Sequence, residues 1–367
     1  MKLSFVIPNL NGGGAEKVLC SILNELVKTK NNYIVHLILV KKEGVYIDSL
    51  DERVIIFDLK QLNVRNSLVG IANYLKSEKP DFFVSSLDYM NLVSSFAHLI
   101  SRSESKLILW EHNHLSIHSK KTISKSSILN KLIVRYFYIR SSKIISVSKG
   151  VKNDLVKNFN IPKNKITTCY NPGYDIDIFD KSLNSDPDIP KFGEYIISVG
   201  RLSKQKNYSN LLKAFNYLKK NNKKKIKLVI VGEGPEYNNI IENIKSFGLT
   251  KDVVLVGFKK NPFPLIMNAS VFVLSSDNEG FGLVLVEALA LGKQIVSTDC
   301  QSGPKEILKN GEFGQLVPVG NYKRLAVSIN KSLNGEIFFD ENSLLERAKD
   351  FSIEKSSRSF TRIINSI

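Results

Sequence analysis

The sequence predicts an α/β protein built from two doubly wound domains that face a cleft. Apolar runs of strand length alternate with segments of helical period, a pattern typical of parallel sheets covered by helices on both faces. A polar segment rich in Pro, Asp, Asn and Gly, residues 171–193, interrupts this alternation, which then restarts. A chain of 367 residues is also too long for one ordinary core and suits two domains.

The first series of elements occupies residues 3–170. Its predicted strands are runs rich in Ile, Val, Leu and Phe at 3–8, 33–40, 53–59, 81–87, 106–110, 143–147 and 165–170. Predicted helices lie between most of them, at 14–29, 66–78, 89–101, 125–140 and 148–159. In such a sheet ligands bind beyond the carboxyl ends of the strands, so the residues that follow each strand are the functional candidates.

The second series follows a predicted linker at 173–189. Its predicted strands are 194–200, 225–232, 252–257, 270–275, 294–298 and 314–318. Its predicted helices are 207–221, 235–247, 283–291, 303–309 and 321–333. The last segment, 352–367, places Ile353, Phe360, Ile364 and Ile367 on one helical stripe that must be buried. We therefore expect a C-terminal helix returning to the first domain at 1–172, and a second domain at 190–351.

Composition favours a globular protein of a reducing compartment. A hydrophobic share of 43% argues against a disordered chain. Three distant cysteines, Cys20, Cys169 and Cys300, predict neither a disulfide framework nor a zinc site. The apolar start is broken by Pro8, and no run reaches the roughly 18 apolar residues of a membrane span. These observations predict a cytoplasmic protein.

The net charge of +17 is concentrated in one part of the chain. Between Arg102 and Lys165 there are 14 basic and 3 acidic residues, a local net of +11 (14 − 3). Such a face suits phosphates or anionic lipid. The charge therefore predicts a protein that lies peripherally at the inner face of the cytoplasmic membrane.

Segment 120–143 is the strongest candidate for that contact. It has an apolar side and a basic side, and further cations flank it; the apolar positions are Leu129, Leu132, Ile133, Tyr136 and Ile139, and the basic ones are Lys120, Lys121, Lys131, Arg135, Arg140 and Lys143. A helix of this kind could rest on an anionic membrane surface or hold a lipid-linked diphosphate acceptor. The alternative is a packing helix with an ordinary solvated face.

The stretch SSDNEGFGLVLVEALALG, residues 275–292, predicts an apolar helix with an acid inside it. A buried carboxylate at Glu287 costs several kcal/mol unless it accepts good hydrogen bonds, which the vicinal hydroxyls of a ribose would provide. Glu279 precedes the helix. Gly280 and Gly282 would let a ligand approach the backbone closely. The backbone amides of Gly282, Leu283 and Val284, at the start of the helix, would bind an anion. The alternative is that Glu279 interacts favourably with the positive end of the helix dipole and that Glu287 is paired with a lysine.

Two cations follow the predicted strand at 194–200. Arg201 comes directly after the strand and Lys206 lies just before a helix, a placement that suits a diphosphate. In a chain with 52 basic residues, a solvated loop is the alternative. In VGEGPE, residues 231–236, Gly232 and Gly234 follow a predicted strand and can line a nucleotide pocket.

Together, GRLSKQKN, VGEGPE, EGFGLVLVE and SGPKEIL resemble the second domain of glycosyltransferase family 4, retaining enzymes with two Rossmann-like domains in the GT-B architecture. NGGGAEKVL resembles the first loop of that family, WEHN its His-bearing strand end and YNPGYDIDIF its linker, so the resemblance covers nearly the whole chain. It implies transfer from a nucleotide-diphosphate sugar, a UDP-hexose or UDP-N-acetylhexosamine. The acceptor would be a glycan or lipid-linked glycan of surface polysaccharide, bound by the first domain, while the second domain binds the donor.

The resemblance also implies roles for individual residues. Arg201 and Lys206 would neutralise the diphosphate, Glu287 would bind the ribose, and Glu279 would bind the donor sugar. The remaining donor-binding positions are Gly232, Gly234, Gly280, Phe281, Gly282, Leu283 and Val284. His112 would contact the transferred sugar as a fourth catalytic residue beside Glu279, Arg201 and Lys206. Gly13 and Gly14 would approach the diphosphate or the acceptor. Because the two cations replace a metal ion, we expect no metal and no other cofactor.

Two patterns compete with this interpretation. Asp175 and Asp177 form a DID motif, which is a metal-binding motif in other sugar transferases, but here it lies in the predicted linker. His114 and His118 lie close to His112, yet without Cys or carboxylate partners they are expected to be solvated loop residues.

Two other functions fit parts of the sequence. A nucleotide-sugar epimerase of the same architecture would use the donor without an acceptor. A non-catalytic basic protein that binds lipid or nucleic acid would explain the charge, but it would not need Glu287 in an apolar helix. The basic segment also lacks the interleaved aromatic residues of single-strand binders, so no nucleic acid partner is expected. The donor sugar, the linkage and the oligomeric state are left open.

Overall fold

The structure is a computed structural model that describes residues 1–29, 33–118, 127–184, 192–221 and 224–367. Its internal contacts divide the chain into two units. The first consists of Met1–Pro172 together with Ile353–Ile367, and the second of Gly173–Ser352.

The first unit contains a seven-stranded parallel sheet in the order β3-β2-β1-β4-β5-β6-β7. Its strands are β1 Lys2–Ile7, β2 Ile34–Leu39, β3 Ile55–Asp58, β4 Phe82–Ser86, β5 Lys106–Glu111, β6 Lys143–Ser146 and β7 Ile166–Thr168. The helices between them are α1 Gly14–Lys28, α2 Leu68–Glu78, α3 Asp88–Ser101, α4 Leu115–His118, α5 Ser127–Arg140 and α6 Lys149–Phe159. The central strands are buried on both faces, as a sheet covered by helices requires.

The second unit repeats this plan with six parallel strands in the order β10-β9-β8-β11-β12-β13. The strands are β8 Tyr195–Val199, β9 Lys227–Val231, β10 Val253–Gly257, β11 Val271–Leu274, β12 Gln294–Thr298 and β13 Gln315–Val317. The helices are α7 Ile178–Leu183, α8 Tyr208–Asn221, α9 Tyr237–Ser246, α10 Phe263–Met267, α11 Leu283–Ala290, α12 Pro304–Ile307, α13 Tyr322–Leu333 and α14 Glu341–Ala348. The predicted fold class, two doubly wound α/β domains, is confirmed.

The terminal helix, α15 Ile353–Asn365, belongs to the first unit. Phe360 and Ile364 of the predicted stripe are buried, and Ile363, which the stripe omitted, is buried beside them. Phe360 packs on Phe5 of β1, with ring centroids 5.7 Å apart. The helix therefore completes the core of the unit in which the chain begins.

The predicted linker contains more structure than its composition indicates. Residues 173–184 group with the second unit and include α7, which packs against α10. The side-chain amide of Asn261 donates to the carbonyl of Lys181 at the end of α7 (2.8 Å). The rest of the predicted linker, 185–189, lies outside the described residues.

The strand orders locate the ligand edges of the two sheets. Each order reverses next to the first strand of its unit, between β1 and β4 and between β8 and β11. Ligands of doubly wound sheets bind beyond the carboxyl ends of the strands at such a reversal. In the parts of the chain that the structure describes, no helix is both long enough and apolar enough to cross a bilayer.

Candidate functional site

An ion pair lies at the strand-order reversal of the second unit. Lys206, which follows β8, donates from Nζ to Oε1 of Glu279, which follows β11, at 2.6 Å. Their side chains are only 16% and 7% exposed, so the pair is well shielded from water. The sequence indicated both residues separately but did not indicate that they bind each other.

Short hydrogen bonds fix this pair. Oε1 of Glu279 also accepts from Ser276 Oγ (2.6 Å), and Thr298 Oγ1 in turn donates to the carbonyl of Ser276 (2.6 Å). Ser302 Oγ donates to the carbonyl of Glu279 (2.6 Å), and Ser275 Oγ donates to the carbonyl of Lys206 (2.8 Å). Hydrogen bonds thus hold the backbone of both charged residues, and a further one holds the carboxylate of Glu279. The pair is therefore preorganised.

Close backbone packing explains two glycines beside the pair. A Cβ on Gly232 would lie 2.1 Å from the carbonyl oxygen of Gly200, and one on Gly234 would lie 2.4 Å from that of Leu202. Any side chain at either position would push away the loop that leads to Lys206. The structure therefore gives both glycines a packing role, and their predicted contact with a nucleotide stays a prediction. Arg201, in the same loop, is exposed.

The amino terminus of α11 is the second part of this site. Gly282 precedes the helix with φ +92°, a backbone conformation that glycine adopts readily. The amides of Leu283 and Val284 follow in its first turn, next to Gly280, where an anion would be favoured. Glu287, one turn further on, is only 3% exposed. An acid inside this helix is therefore buried, as its apolar sequence predicted.

Aromatic packing holds the loop before α11. Phe281 is buried and packs edge-on against Phe351, with ring centroids 5.4 Å apart. The guanidinium of Arg347 lies 4.8 Å above the Phe351 ring and donates from Nη2 to the carbonyl of Glu306 (2.6 Å). The structure thus gives Phe281 a packing role, while its predicted contact with the donor is untested.

The first unit presents a glycine-rich loop at the amino terminus of α1. The carboxylate of Glu16 lies over Gly13. A Cβ placed on Gly13 would be 2.1 Å from Oε2 of Glu16. A Cβ on Gly14 would meet nothing within 4 Å. Close approach of a phosphate is therefore sterically open at Gly14, whereas at Gly13 it requires Glu16 to move.

His112 follows β5 and lies at the end of an aromatic stack. Its ring stacks on Trp110 at a centroid distance of 5.2 Å, and Trp110 stacks on Phe360 of α15 at 5.4 Å. Burial lowers the pKa of His112 to about 3, so the imidazole is neutral at pH 7. Neither ring nitrogen has a hydrogen-bond partner among the described residues, an arrangement that leaves one donor and one acceptor for a ligand.

Glu111, directly before His112, is a buried acid that sequence reasoning missed. Its Oε1 accepts from Asn91 Nδ2 (2.6 Å) and from Tyr138 Oη. Burial and the nearby Asp88 raise the pKa of Glu111 to about 8. A charged residue type that ends the apolar run KLILWE was the signal available in the sequence.

The loop after His112 is also more buried than expected. His114 was predicted to be solvated, but it is 4% exposed and its Nδ1 lies 3.7 Å from Oδ1 of Asp154. Asp154 also accepts from the backbone amide of Ser116 (3.1 Å) and from Asn158 Nδ2 (2.7 Å). Burial opposes its ionisation, but hydrogen bonds from His114, Ser116 and Asn158 hold the pKa of Asp154 below its usual range. Asp154 therefore anchors α4 to α6.

The DID motif is engaged in local contacts. Asp175 pairs with Lys181 of α7 and accepts from the backbone amide of Asp177 (3.1 Å). Within the described ranges, no group of three or more His, Cys, Asp or Glu side chains is arranged to hold a metal ion.

The helix predicted to contact a membrane is α5, and three of its five predicted apolar positions are exposed. The buried positions are Asn130, Val134 and Tyr138, whereas Leu129, Leu132 and Tyr136 are about half exposed. Lys120 and Lys121 lie outside the described residues.

The arrangement in the second unit suits a nucleoside diphosphate. Lys206, which binds Glu279 a few residues before α11, and the amides at the start of α11 supply positive charge, and Glu279 and Glu287 supply hydrogen-bond acceptors for hydroxyl groups. Preorganised charge of this kind stabilises a leaving diphosphate. Two parallel α/β units with such a site define the GT-B class of sugar transferases.

Comparisons with known proteins agree with this class. The family model described as Glycosyl transferases group 1 matches residues 181–352, and the model Glycosyltransferase Family 4 matches residues 12–177. A Campylobacter jejuni relative, N-acetylgalactosamine-N,N'-diacetylbacillosaminyl-diphospho-undecaprenol 4-alpha-N-acetylgalactosaminyltransferase, is 30% identical over 97% of each chain. A second C. jejuni alpha-1,4-N-acetyl-D-galactosaminyltransferase, whose named substrate is also a PP-undecaprenol glycan, is 28% identical over 99% of this chain and 98% of the relative.

The fold has solved counterparts. The crystal structure of Anabaena HepE in complex with UDP and glucose covers 100% of both chains at a TM-score of 0.83 and 20% identity, a likeness that shows the fold. With the sequence relatives, these findings place the chain in glycosyltransferase family 4 with the GT-B fold. The protein is a glycosyltransferase, and its relatives include an amylovoran biosynthesis glycosyltransferase of Erwinia amylovora that is 26% identical over 91% of each chain.

Proposed function

We propose that this protein is a retaining, metal-independent transferase that moves a hexose or N-acetylhexosamine from a UDP-sugar to a lipid-linked glycan. The observation that carries the proposal is the shielded pair of Lys206 and Glu279 at the strand-order reversal. The named substrates of the two C. jejuni relatives support an undecaprenol diphosphate acceptor. HepE, described with UDP and with UDP-glucose, supports UDP as the nucleotide.

The second unit would bind the donor. The diphosphate would bind Arg201, Lys206 and the amides that follow Gly282, where the positive end of the helix dipole adds to the two side-chain charges. Glu287 would accept hydrogen bonds from the ribose hydroxyls. Glu279 would bind a hydroxyl of the sugar while it shares Lys206 with the leaving phosphate.

The reaction would break the bond between the sugar's anomeric carbon and the diphosphate and form one to the acceptor oxygen. The acceptor hydroxyl would approach from the face that the diphosphate leaves, and its proton would pass to a phosphate oxygen. Configuration is then retained without an enzyme nucleophile. Lys206 and Arg201 would stabilise the charge that develops on the diphosphate, the role that a metal ion has in other transferases. In the first unit, His112 would hold a hydroxyl of the transferred sugar.

The donor and the metal requirement can be tested together. We expect purified protein, in EDTA and without acceptor, to release UDP slowly from one member of a panel of UDP-hexoses and UDP-N-acetylhexosamines. EDTA should not change the rate, because no resident metal takes part. A rate that EDTA abolishes and added Mg²⁺ or Mn²⁺ restores would contradict metal independence. Consumption of the donor with formation of an isomeric UDP-sugar would indicate an epimerase instead.

A lipid-linked acceptor requires contact with a membrane, and we propose that α3 and α5 of the first unit make it. These helices pack on each other, with the rings of Phe96 and Phe137 at 6.3 Å. Both expose large apolar side chains, at Phe96, Leu99 and Ile100 on α3 and at Ile128, Leu129, Leu132 and Tyr136 on α5. A solvent-exposed apolar patch of this kind is typical of an interaction site.

Charge supports an anionic bilayer as the partner. Helix α5 contains no acidic residue, and α3 contains one, at its first position. Exposed cations accompany the apolar side chains at Arg102, Lys131 and Arg140, and Arg140 lies 4.0 Å above the Tyr136 ring. Apolar insertion with cations at the headgroup level is the pattern of peripheral helices. The protein would therefore work at the inner face of the cytoplasmic membrane.

Vesicle flotation tests this surface. We expect wild type to float with phosphatidylglycerol-rich vesicles at low salt and less with pure phosphatidylcholine. The variant Leu132→Ser with Tyr136→Ser should bind at least about tenfold less, since each side chain contributes about 1.5 kcal/mol or more of apolar transfer. Phe338→Ser removes a large apolar side chain of the second unit that is more exposed than either, and this variant should bind like wild type. Equal flotation of both variants would contradict the proposed surface.

A further inference from the structure

The carboxyl group of Glu111 is buried at a position where an ionised carboxylate costs free energy. It is 1% exposed, and the charged groups that act on it most strongly are two acids, Asp88 of α3 and Asp154 of α6. Burying a carboxylate costs several kcal/mol without compensating charge. An apolar residue or an amide would avoid that cost, so the position is better explained by function than by stability.

Its contacts connect three elements of the first unit. Oε1 accepts hydrogen bonds from Asn91 Nδ2 of α3 (2.6 Å) and from Tyr138 Oη of α5. Asn91 Nδ2 also lies 3.2 Å from the carbonyl oxygen of Trp110, the strand residue that stacks on His112. Both helices are thereby tied to the end of β5, one residue before His112.

The backbone opposite this point is strained. Leu87, which lies between β4 and α3, has φ +81°, an unfavourable conformation for a residue with a side chain. Its amide lies 3.4 Å from the carbonyl oxygen of Trp110, and its carbonyl accepts from the amide of Asn91 (2.8 Å). Strained backbone of this kind is concentrated at functional sites, a second observation that points to the ends of β4 and β5.

We propose that Glu111 is a positioning residue that holds α3 and α5 on the end of β5 and so fixes the direction in which His112 meets the transferred sugar. The inference rests on the proposed function, because the role of His112 does. The side chain of Glu111 also connects α5, which is proposed to contact the membrane, with the strand end that carries His112, which is proposed to contact the sugar.

The protonation state follows from the surroundings. Burial and the charge of Asp88 raise the pKa of Glu111 to about 8, and burial together with Glu111 raises the pKa of Tyr138 well above its usual range. The proton belongs on Oε2, because Oε1 already accepts two hydrogen bonds and Oε2 accepts none among the described residues. Above about pH 8, a carboxylate would face Asp88 and Asp154 in a buried site, and this cost outweighs the stronger hydrogen bonds that Asn91 and Tyr138 would donate to a charged oxygen, so ionisation destabilises the end of β5 and the helices attached to it.

The sign of the pH effect on stability is fixed by the raised pKa. Unfolded, Glu111 titrates near its ordinary value, so the folded protein binds the proton more tightly. The resulting stability is fully present below about pH 4.5 and is lost progressively as the pH rises to about 8. Above that value, no further loss comes from this group.

The variant Glu111→Gln tests the neutral form, since its amide keeps the shape and cannot ionise. With a pKa of about 8, about nine-tenths of Glu111 is neutral at pH 7 and about one-tenth at pH 9. We expect the ratio of donor turnover at pH 9 to that at pH 7 to be about tenfold higher in Glu111→Gln than in wild type. The thermal midpoint of wild type should also fall relative to that of the variant between pH 5 and pH 8. Equal pH profiles would overturn the proposal.

The variant Tyr138→Phe tests the positioning role. We expect kcat to fall about tenfold, with the KM for the donor and the affinity for UDP unchanged, because the second unit binds the nucleotide. Tyr74→Phe is the matched control: Tyr74 is also buried in the first unit, and its hydroxyl bonds Ser4 Oγ (2.7 Å) and His36 Nδ1 (2.6 Å). It should lower the thermal midpoint without changing kcat. If both variants reduce kcat in proportion to lost stability, the role is structural.

The two levels of the proposal can fail separately. A wild type that turns over no UDP-sugar overturns the proposed function and the positioning role with it. The thermal comparison of wild type with Glu111→Gln needs no activity and then reports on the neutral carboxyl alone. If wild type turns over a UDP-sugar and Tyr138→Phe has the same kcat, only the positioning role is overturned.

Discussion

Replacing Lys206 with alanine is expected to lower donor turnover about 100- to 1000-fold, the loss typical of removing one preorganised group that stabilises transition-state charge. Lys206 bonds Glu279 at 2.6 Å, so the position of its ammonium is fixed by the protein itself. The readout is UDP released from the donor in EDTA. Lys204→Ala is the matched control, because Lys204 lies on the same 3-10 turn and is exposed. Its turnover should stay within about twofold of wild type.

The Lys206 result needs a check on folding, since the variant leaves Glu279 buried without its cation. Breaking a buried pair in this way costs about 3–5 kcal/mol at full burial and less here, because Lys206 retains some exposure. The thermal midpoint and the affinity for UDP separate lost folding from lost catalysis. A folded Lys206→Ala protein that turns over the donor as fast as Lys204→Ala would contradict the assigned role.

Replacing Glu287 with glutamine is expected to weaken UDP binding about 100-fold. Glu287 is buried in α11, and a carboxylate that accepts two ribose hydroxyls makes hydrogen bonds worth about 1.5–3 kcal/mol each. Glutamine retains the size but loses the charge, and every 1.4 kcal/mol changes the affinity tenfold. Calorimetry with UDP measures the effect.

A control for Glu287 comes from the neighbouring helix. Glu341 is exposed on α14, which packs against α11, and its side chain lies beside Gly292 at the end of that helix. Glu341→Gln removes one negative charge from the same unit and should bind UDP like wild type. Equal weakening in both variants would indicate a general electrostatic effect, and unchanged binding in Glu287→Gln would remove Glu287 from the ribose site.

Most of the fold was readable from the sequence because buried parallel strands are continuous apolar runs. The strands of both sheets and the longer helices were predicted within a few residues. Short helices were missed, namely α4, α7, α10 and α14, since four to eight residues hardly establish a helical period. Helix α7 was hidden further by the Asp, Asn and Pro around it, which indicate turns.

The candidate site was readable only in part, because composition identifies residue types but not partners. The ion pair of Lys206 and Glu279 joins residues 73 positions apart. The solvated state expected for His114 was wrong, because Asp154 on a separate helix covers it. Glu111 was overlooked because one acid at the end of a strand is common. Only its burial and its bonds to Asn91 and Tyr138 distinguish it.

The most direct test of retaining transfer without a metal ion follows the sugar itself. Proton NMR of the donor that wild type hydrolyses, in EDTA and recorded before mutarotation, shows the anomer formed first. We expect release of the anomer with the configuration of the donor, at a rate that EDTA leaves unchanged. First formation of the opposite anomer, or a reaction that stops until a divalent cation is added, would rule out retaining transfer without a metal ion.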